Sequence, residues 1–120
     1  MRSLVPLAHV RSIPESIAFY RKLGFEVGNT FSPQGSTDPM WAWLESEGGA
    51  RLMLALADEP VIAGQQAVLF YLYCDEVPGT RAALENSGVA VGPVKYPFYA
   101  PRGEFRVEDP DGYVLMITHI

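Results

Sequence analysis

The feature that most constrains the fold of this chain is an internal repeat. When the chain is shifted by 64 positions, and by 63 near the end of each half, its apolar residues, prolines and glycines coincide. The matching segments are His9–Pro14 with Tyr73–Pro78, Gly24–Val27 with Gly88–Val91, and Leu52–Leu54 with Leu115–Ile117. Two similar modules, 1–58 and 66–120, within one domain of 120 residues explain this self-similarity most simply.

Each module predicts the same order of elements. In the first, Ser12 and Glu15 form a capping-box pattern at the start of a helix that Gly24 ends. In the second, Asp75 is the predicted cap and Gly88 ends the helix. The predicted strands are Leu4–Val10, Phe25–Phe31, Met40–Ser46 and Arg51–Leu56, then Val68–Cys74, Val89–Tyr96, Glu104–Glu108 and Tyr113–Thr118. The order β-α-β-β-β therefore occurs twice, which predicts an α+β protein.

Alternation along the strands separates a helix-covered face from an opposite face. The opposite face collects most of the side chains predicted to contact a ligand, which are His9, Trp41, Trp43, Met53, Tyr71, Tyr73, Glu104, Arg106 and Met116. Tyr99 joins them from the proline-rich aromatic loop 95–103, which is a candidate lid or dimer contact. Many aromatic and few polar groups are typical of a small-molecule pocket, although the same aromatics would also fill the space between two sheets.

The polar members of this set leave alternatives open. His9 and Glu104 are candidates for acid–base catalysis, but no spacing marks a catalytic pair, so we assign no catalytic residue. Glu104 and Arg106 lie two positions apart on one strand, where they could grip a polar ligand or neutralise each other. The chain contains no nucleotide fingerprint or phosphate-binding glycine loop.

Charge and cysteine content exclude several classes of partner. Nine basic and fourteen acidic residues give a net charge of −5 without a Lys/Arg cluster, so no nucleic-acid partner is expected and a cationic small molecule is favoured. Cys74 is the only cysteine, which excludes an intrachain disulfide and fits a reducing compartment. The chain shows neither a signal peptide nor an apolar run long enough to span a bilayer. We therefore expect a cytoplasmic protein with no membrane partner.

Three stretches carry a resemblance to a known family when they are taken in order. They are Ser16–Phe25, Gly49–Leu54 and Glu104–Tyr113, the last with the turn sequence Asp109-Pro110-Asp111-Gly112. Along its whole length the chain resembles the vicinal oxygen chelate superfamily, which includes glyoxalase I, bleomycin-resistance proteins and extradiol dioxygenases. The resemblance implies paired βαβββ modules that form a curved sheet around a cleft, and a homodimer.

The resemblance also locates the positions from which metal-dependent members take their ligands. These positions correspond here to Val5, Met53, Leu69 and Met116, and none of them carries an oxygen or nitrogen donor. The chain therefore resembles the metal-free, bleomycin-resistance-like branch, for which we expect neither a metal ion nor another cofactor. In that branch the position of Trp41 stacks on a planar drug ring, and Trp43 adds a second aromatic face.

These observations predict a metal-independent, dimeric protein that binds a cationic or aromatic small molecule and sequesters an antibiotic or another planar aromatic compound. The alternative is an enzyme of the same superfamily, a lyase, isomerase or dioxygenase that acts without the usual metal ligands. In that alternative His9 and Glu104 would supply the acid–base chemistry.

Overall fold

The computed structural model describes residues 1–120 and confirms the α+β class. The first half contains β1 (Leu7–Val10), α1 (Ile13–Lys22), β2 (Phe25–Phe31), β3 (Trp41–Ser46) and β4 (Arg51–Leu56). The second half contains β5 (Leu69–Cys74), α2 (Val77–Asn86), β6 (Glu104–Glu108) and β7 (Val114–His119), preceded by a single 3₁₀ turn at Ala63–Gln65. The chain divides into two compact units, Met1–Val61 and Ile62–Ile120.

The first unit is a four-stranded sheet in the order β1-β4-β3-β2, with α1 covering one face. β1 runs parallel to β4, and the remaining pairs are antiparallel. The residues that alternate onto the helix-covered face are all buried, as the sequence predicts: Ala8, Val10, Ala42, Leu44, Leu52 and Leu54. Ser12 caps α1 by accepting a hydrogen bond from the Glu15 amide at 3.3 Å, and Gly24 follows the helix with φ +88°.

The second unit is a three-stranded sheet in the order β5-β7-β6, with β5 parallel to β7 and β6 antiparallel to it. Its core is formed by the predicted side chains Phe105, Val107, Leu115 and Ile117, together with Val77 and Leu84 of α2. The prediction of Asp75 as the cap of α2 is wrong: Glu76 occupies the N-cap position and makes no side-chain capping bond. The repeat itself points to Glu76, which lies 64 positions after Ser12.

The predicted strand Val89–Tyr96 does not form. Only two isolated bridges join this segment to β6, one between Val91 and Val107 and one between Lys95 and Glu104. The Gly92 amide still donates to the Arg106 carbonyl at 2.9 Å, and the interruption lies between Gly92 and Lys95, where Pro93 has no N–H to donate to a ladder. The structure therefore leaves a gap in the backbone pairing along the outer edge of β6.

Other boundaries shift by smaller amounts. β1 begins at Leu7 instead of Leu4, because Pro6 cannot donate and contributes only its carbonyl, which accepts from the Met53 amide at 2.9 Å. The predicted turn at 109–112 is confirmed: the Gly112 amide donates to the Asp109 carbonyl at 3.0 Å, with Gly112 at φ +84°. Neither helix is long and apolar enough to cross a membrane.

Candidate functional site

The predicted ligand-contacting residues of the first unit lie together on the sheet face opposite α1. Across the sheet, one row is Phe31, Trp41, Ala55 and His9, and the next row is Asn29, Trp43, Met53 and Leu7. His9 is exposed, whereas both tryptophans and Met53 are partly buried. This face, called here the aromatic face, is open to a planar partner.

The two indoles of the aromatic face are held differently. Trp43 donates its ring N–H to Glu45 Oε1 at 2.8 Å, and the same oxygen lies 3.4 Å from Arg51 Nε. β2 has a bulge at Gly28, where an added Cβ would lie 3.0 Å from Trp43 Cδ1, so the missing side chain leaves room for the ring. The indole N–H of Trp41 has no partner in the chain and is a free donor on this face.

The predicted residues of the second unit also share one sheet face. The rows are Tyr71, Met116 and Arg106, then Tyr73, Thr118 and Glu104. Tyr71 and Tyr73 are exposed to 43% and 65%, and Arg106 is exposed as well. Glu104, by contrast, is only 6% exposed. A carboxyl group is therefore buried on the same face as the exposed side chains of Tyr71, Tyr73 and Arg106, beside the equally buried Thr118.

Glu104 has one side-chain partner. Tyr99 donates its hydroxyl to Glu104 Oε1 at 2.9 Å. This bond is the main reason that the pKa of Tyr99 is raised to about 12, and contact with Tyr71 raises that pKa further. Glu104 Oε2 is buried and has no hydrogen-bond partner in the chain. Tyr99, predicted from an aromatic loop, is thus brought into contact with a predicted strand residue.

Of the two alternatives for Glu104 and Arg106, mutual neutralisation does not occur in the structure. Arg106 Nη2 donates instead to Glu108 Oε1 at 2.8 Å, two residues further along β6. Glu104 is turned toward Tyr99, whereas Glu108 and Arg106 are both 57% exposed and reach each other at the surface. Glu108 was not predicted as a site residue, and its alternation with Arg106 is the signal that could have identified it.

A cavity of about 550 Å³ lies beside β6 in the second unit. Its walls are Ala90, Val91, Gly92, Pro93, Lys95, Glu104, Phe105, Arg106, Val107, Glu108 and Met116. The segment 90–95 forms one wall because its backbone pairs with β6 only at two bridges. Gly92 permits the approach of the two segments, since an added Cβ would lie 3.1 Å from the Arg106 carbonyl oxygen.

The cavity contains three of the predicted site residues, Glu104, Arg106 and Met116. Tyr71, Tyr73 and Tyr99 are not among its lining residues. Sequence reasoning missed the segment 90–95, because it treated that segment as an ordinary paired strand.

The repeat relates the two open faces position by position. Gly28 corresponds to Gly92 by the 64 offset, and by the 63 offset Trp41, Trp43 and Glu45 correspond to Glu104, Arg106 and Glu108. In each unit the middle residue donates to the glutamate two positions on, at 2.8 Å in both cases. The second unit thus presents a carboxylate and a guanidinium where the first presents two indoles.

The chain holds no group of three or more His, Cys, Asp or Glu side chains that could bind a metal ion. Of the four positions that the resemblance in sequence predicts to correspond to metal ligands, Val5 precedes β1, Met53 and Met116 lie within the open faces, and Leu69 is 52% exposed. Thioether and aliphatic side chains do not supply the oxygen and nitrogen donors that divalent metals prefer.

Comparison with protein families identifies the class to which this architecture belongs. The model of the Glyoxalase/Bleomycin resistance protein/Dioxygenase superfamily matches residues 6–117. The chain belongs to this superfamily. No curated protein sequence matches the chain.

Solved structures with the same fold cover nearly the whole chain. A bleomycin resistance determinant encoded on the transposon Tn5 matches with a TM-score of 0.77 and 16% identity, over 99% of this chain and 98% of its own. A bleomycin-binding protein complexed with bleomycin matches with a TM-score of 0.76 and 16% identity, over 100% and 99%. TnmS3, an antibiotic-binding protein from a Streptomyces species, matches with a TM-score of 0.69 and 25% identity, over 98% and 95%.

Proposed function

We propose that this protein binds and sequesters a small organic molecule, an antibiotic or another planar aromatic compound, without a metal ion. The observation that carries the proposal is the cavity of about 550 Å³ beside β6, lined mostly by apolar side chains with a few charged groups. This size and composition are typical of small-molecule sites, whose volumes are about 300–1,000 Å³.

The aromatic face supports the same proposal. Trp41 and Trp43 lie in adjacent rows of one open sheet face, where a flat ring system can stack on an indole. His9, at the end of the Trp41 row, is exposed and can exchange a hydrogen bond with a bound molecule. Solved relatives with this fold include proteins that bind bleomycin or another antibiotic.

We also propose that the protein is a cytoplasmic homodimer. The loop 95–103 exposes Tyr96 to 69%, Phe98 to 96% and Tyr99 to 56%. Clustered exposed aromatics are more typical of an interface than of a free surface.

The ligand proposal is tested by isothermal titration with bleomycin and a panel of planar aromatic compounds, after native mass spectrometry for co-purified ligands. Ala90→Phe should partly fill the cavity and weaken binding of a cavity ligand by about tenfold or more, since a bulky wall residue displaces ligand atoms. Ala82→Phe is the matched control, because Ala82 is an exposed alanine of α2 that does not line the cavity. Equal affinity in both variants, or no binding by the parent protein, would contradict the proposal.

One observation favours the enzymatic alternative. The buried Oε2 of Glu104 has no partner in the chain and could accept a proton from a bound substrate. A lyase or isomerase would then convert the compound it binds. Product formation by the parent protein that is lost in Glu104→Gln would establish this alternative, whereas recovery of the bound compound unchanged supports sequestration.

A further inference from the structure

Not every charged group around the cavity beside β6 has an ion-pair or hydrogen-bond partner in the chain. Arg106 and Glu108 form an ion pair at 2.8 Å. Lys95 is exposed and forms no ion pair. Glu104 receives the Tyr99 hydroxyl on Oε1, while Oε2 remains buried without a donor. Glu104, which is one of the residues that line the cavity, therefore carries one buried oxygen that has no hydrogen-bond partner in the chain.

A buried carboxylate oxygen without a donor is unfavourable, because the hydration that it has lost is not replaced. An ionised carboxylate only accepts, so a partner for this oxygen has to be an N–H or O–H donor. A cationic donor would satisfy it best, because charge-assisted hydrogen bonds are roughly twice as strong as neutral ones. Among ligand groups, a protonated amine therefore matches this oxygen of Glu104.

The other residues that line the cavity indicate which kind of ligand body would carry the amine. Ala90, Val91, Pro93 and Met116 contribute apolar side chains, which favour an apolar ligand body. The net charge of −5 favours the approach of a cation over that of an anion.

Access to Glu104 requires a side chain to move, because the residue is only 6% exposed. Lys95 lies directly opposite Glu104, and two backbone hydrogen bonds of 2.8 Å join the two residues. The Lys95 side chain is exposed and forms no ion pair, so no ion pair has to break if it moves when an amine enters.

We propose that Glu104 is the polar anchor of this cavity, and that its Oε2 accepts a hydrogen bond from the protonated amine of a ligand with an apolar, drug-sized body. Tyr99 is a positioning residue, because its hydroxyl fixes the other carboxylate oxygen. The proposal rests on the function proposed above, since it names the ligand class of the same cavity.

Three probes with one flat body and different charges test this assignment by isothermal titration: naphthylmethylamine, naphthylmethanol and naphthoate. The parent protein should bind the amine at least about tenfold more tightly than the alcohol, as expected for a hydrogen bond to a charged group. Glu104→Gln preserves the size of the side chain and removes its charge, so amine and alcohol should then bind within about twofold of each other. Glu108→Gln is the matched control on the same strand and should retain the preference for the amine.

The outcomes separate the two proposals. Equal binding of the amine and the alcohol by the parent protein, or an amine preference that survives in Glu104→Gln, overturns the assignment of Glu104 and leaves small-molecule binding intact. Tighter binding of naphthoate assigns the polar contact to Lys95 and also overturns it. Binding of none of the three probes refutes both proposals for this cavity.

A second variant keeps the test decisive if Glu104→Gln does not fold. Tyr99 is 56% exposed, so Tyr99→Phe should fold normally while it releases Glu104 from its fixed position. The affinity for the amine should fall and the affinity for the alcohol should not change. An unchanged ratio of the two affinities in a folded Tyr99→Phe would contradict the assignment.

Discussion

Truncation of Trp41 distinguishes a ligand-stacking side chain from a core side chain. Trp41 and Leu54 lie on paired strands, β3 and β4, but on opposite faces of the sheet. Leu54 is completely buried, whereas Trp41 is partly exposed on the aromatic face. The pair therefore compares an open-face deletion with a core deletion in the same part of the fold.

The expected losses of stability follow from burial. A tryptophan buries about 200 Å² when it is fully enclosed. Because Trp41 is only partly exposed, about three-quarters of that area at roughly 25 cal/mol per Å² corresponds to about 4 kcal/mol as an upper estimate. No enclosed cavity is left on an open face, so Trp41→Ala should cost no more than this. Leu54→Ala removes a smaller side chain but leaves an enclosed cavity, which costs about 3–5 kcal/mol.

Ligand affinity should distinguish the two variants. Loss of the Trp41 stacking surface should weaken a planar ligand by about 0.5–1.5 kcal/mol beyond the lost contact area, whereas folded Leu54→Ala should bind normally. Urea denaturation followed by far-ultraviolet circular dichroism measures stability, and isothermal titration with bleomycin measures binding. If Trp41→Ala lost more stability than Leu54→Ala and bound the ligand unchanged, Trp41 would be a core residue and the stacking argument would be refuted.

Three further results are expected. Tyr99 should titrate near pH 12 in an ultraviolet absorbance titration, because its bond to Glu104 favours the protonated phenol. The contribution of this bond to the stability of the folded protein is complete below about pH 10 and is lost as the pH rises through 12. A Tyr99 titration near pH 10 would contradict the bond. Gly92→Ala should lower the free energy of unfolding by about 1–3 kcal/mol, because the new Cβ lies 3.1 Å from the backbone oxygen of Arg106. Gly64→Ala is the control, since its Cβ meets no atom within 4 Å, and it should cost less than about 1 kcal/mol; equal losses in chemical denaturation would argue against the backbone contact. Sedimentation at micromolar concentration should show a dimer, and a monomer there would contradict the proposed assembly.

Much of the fold was predictable because its signals are local. Ser12 and Gly24 mark the ends of α1 by their own backbone chemistry, and alternation along β3 and β4 assigns Leu44 and Leu54 to the core. The missing strand at 89–96 shows the limit of such signals. Its apolar residues satisfy the pattern of a strand, but Pro93 interrupts the hydrogen-bond ladder on which a strand depends, between the bonds that Gly92 and Lys95 make to β6.

The candidate site was predictable only at the level of sheet faces. Alternation correctly gathers Trp41 and Trp43 on one face and places Glu104 and Arg106 on another. It does not select partners among neighbouring side chains, because each choice depends on where a loop returns to the sheet. The return of the loop 95–103 brings Tyr99 onto Glu104, and Arg106 consequently pairs with Glu108.

The open sheet faces of the two units differ in chemistry at positions that the repeat relates to one another. Positions 41 and 43, and their counterparts 104 and 106, point away from the helix-covered face. The packing positions between them, such as Ala42 and Phe105, are buried in both units and maintain the fold. The two units therefore differ in these open-face residues and also in the neighbouring strand, which forms as β2 in the first unit and is reduced to two bridges in the second. Membership of the superfamily predicts the strands that the two units share, whereas the ligand has to be argued from the positions at which they differ.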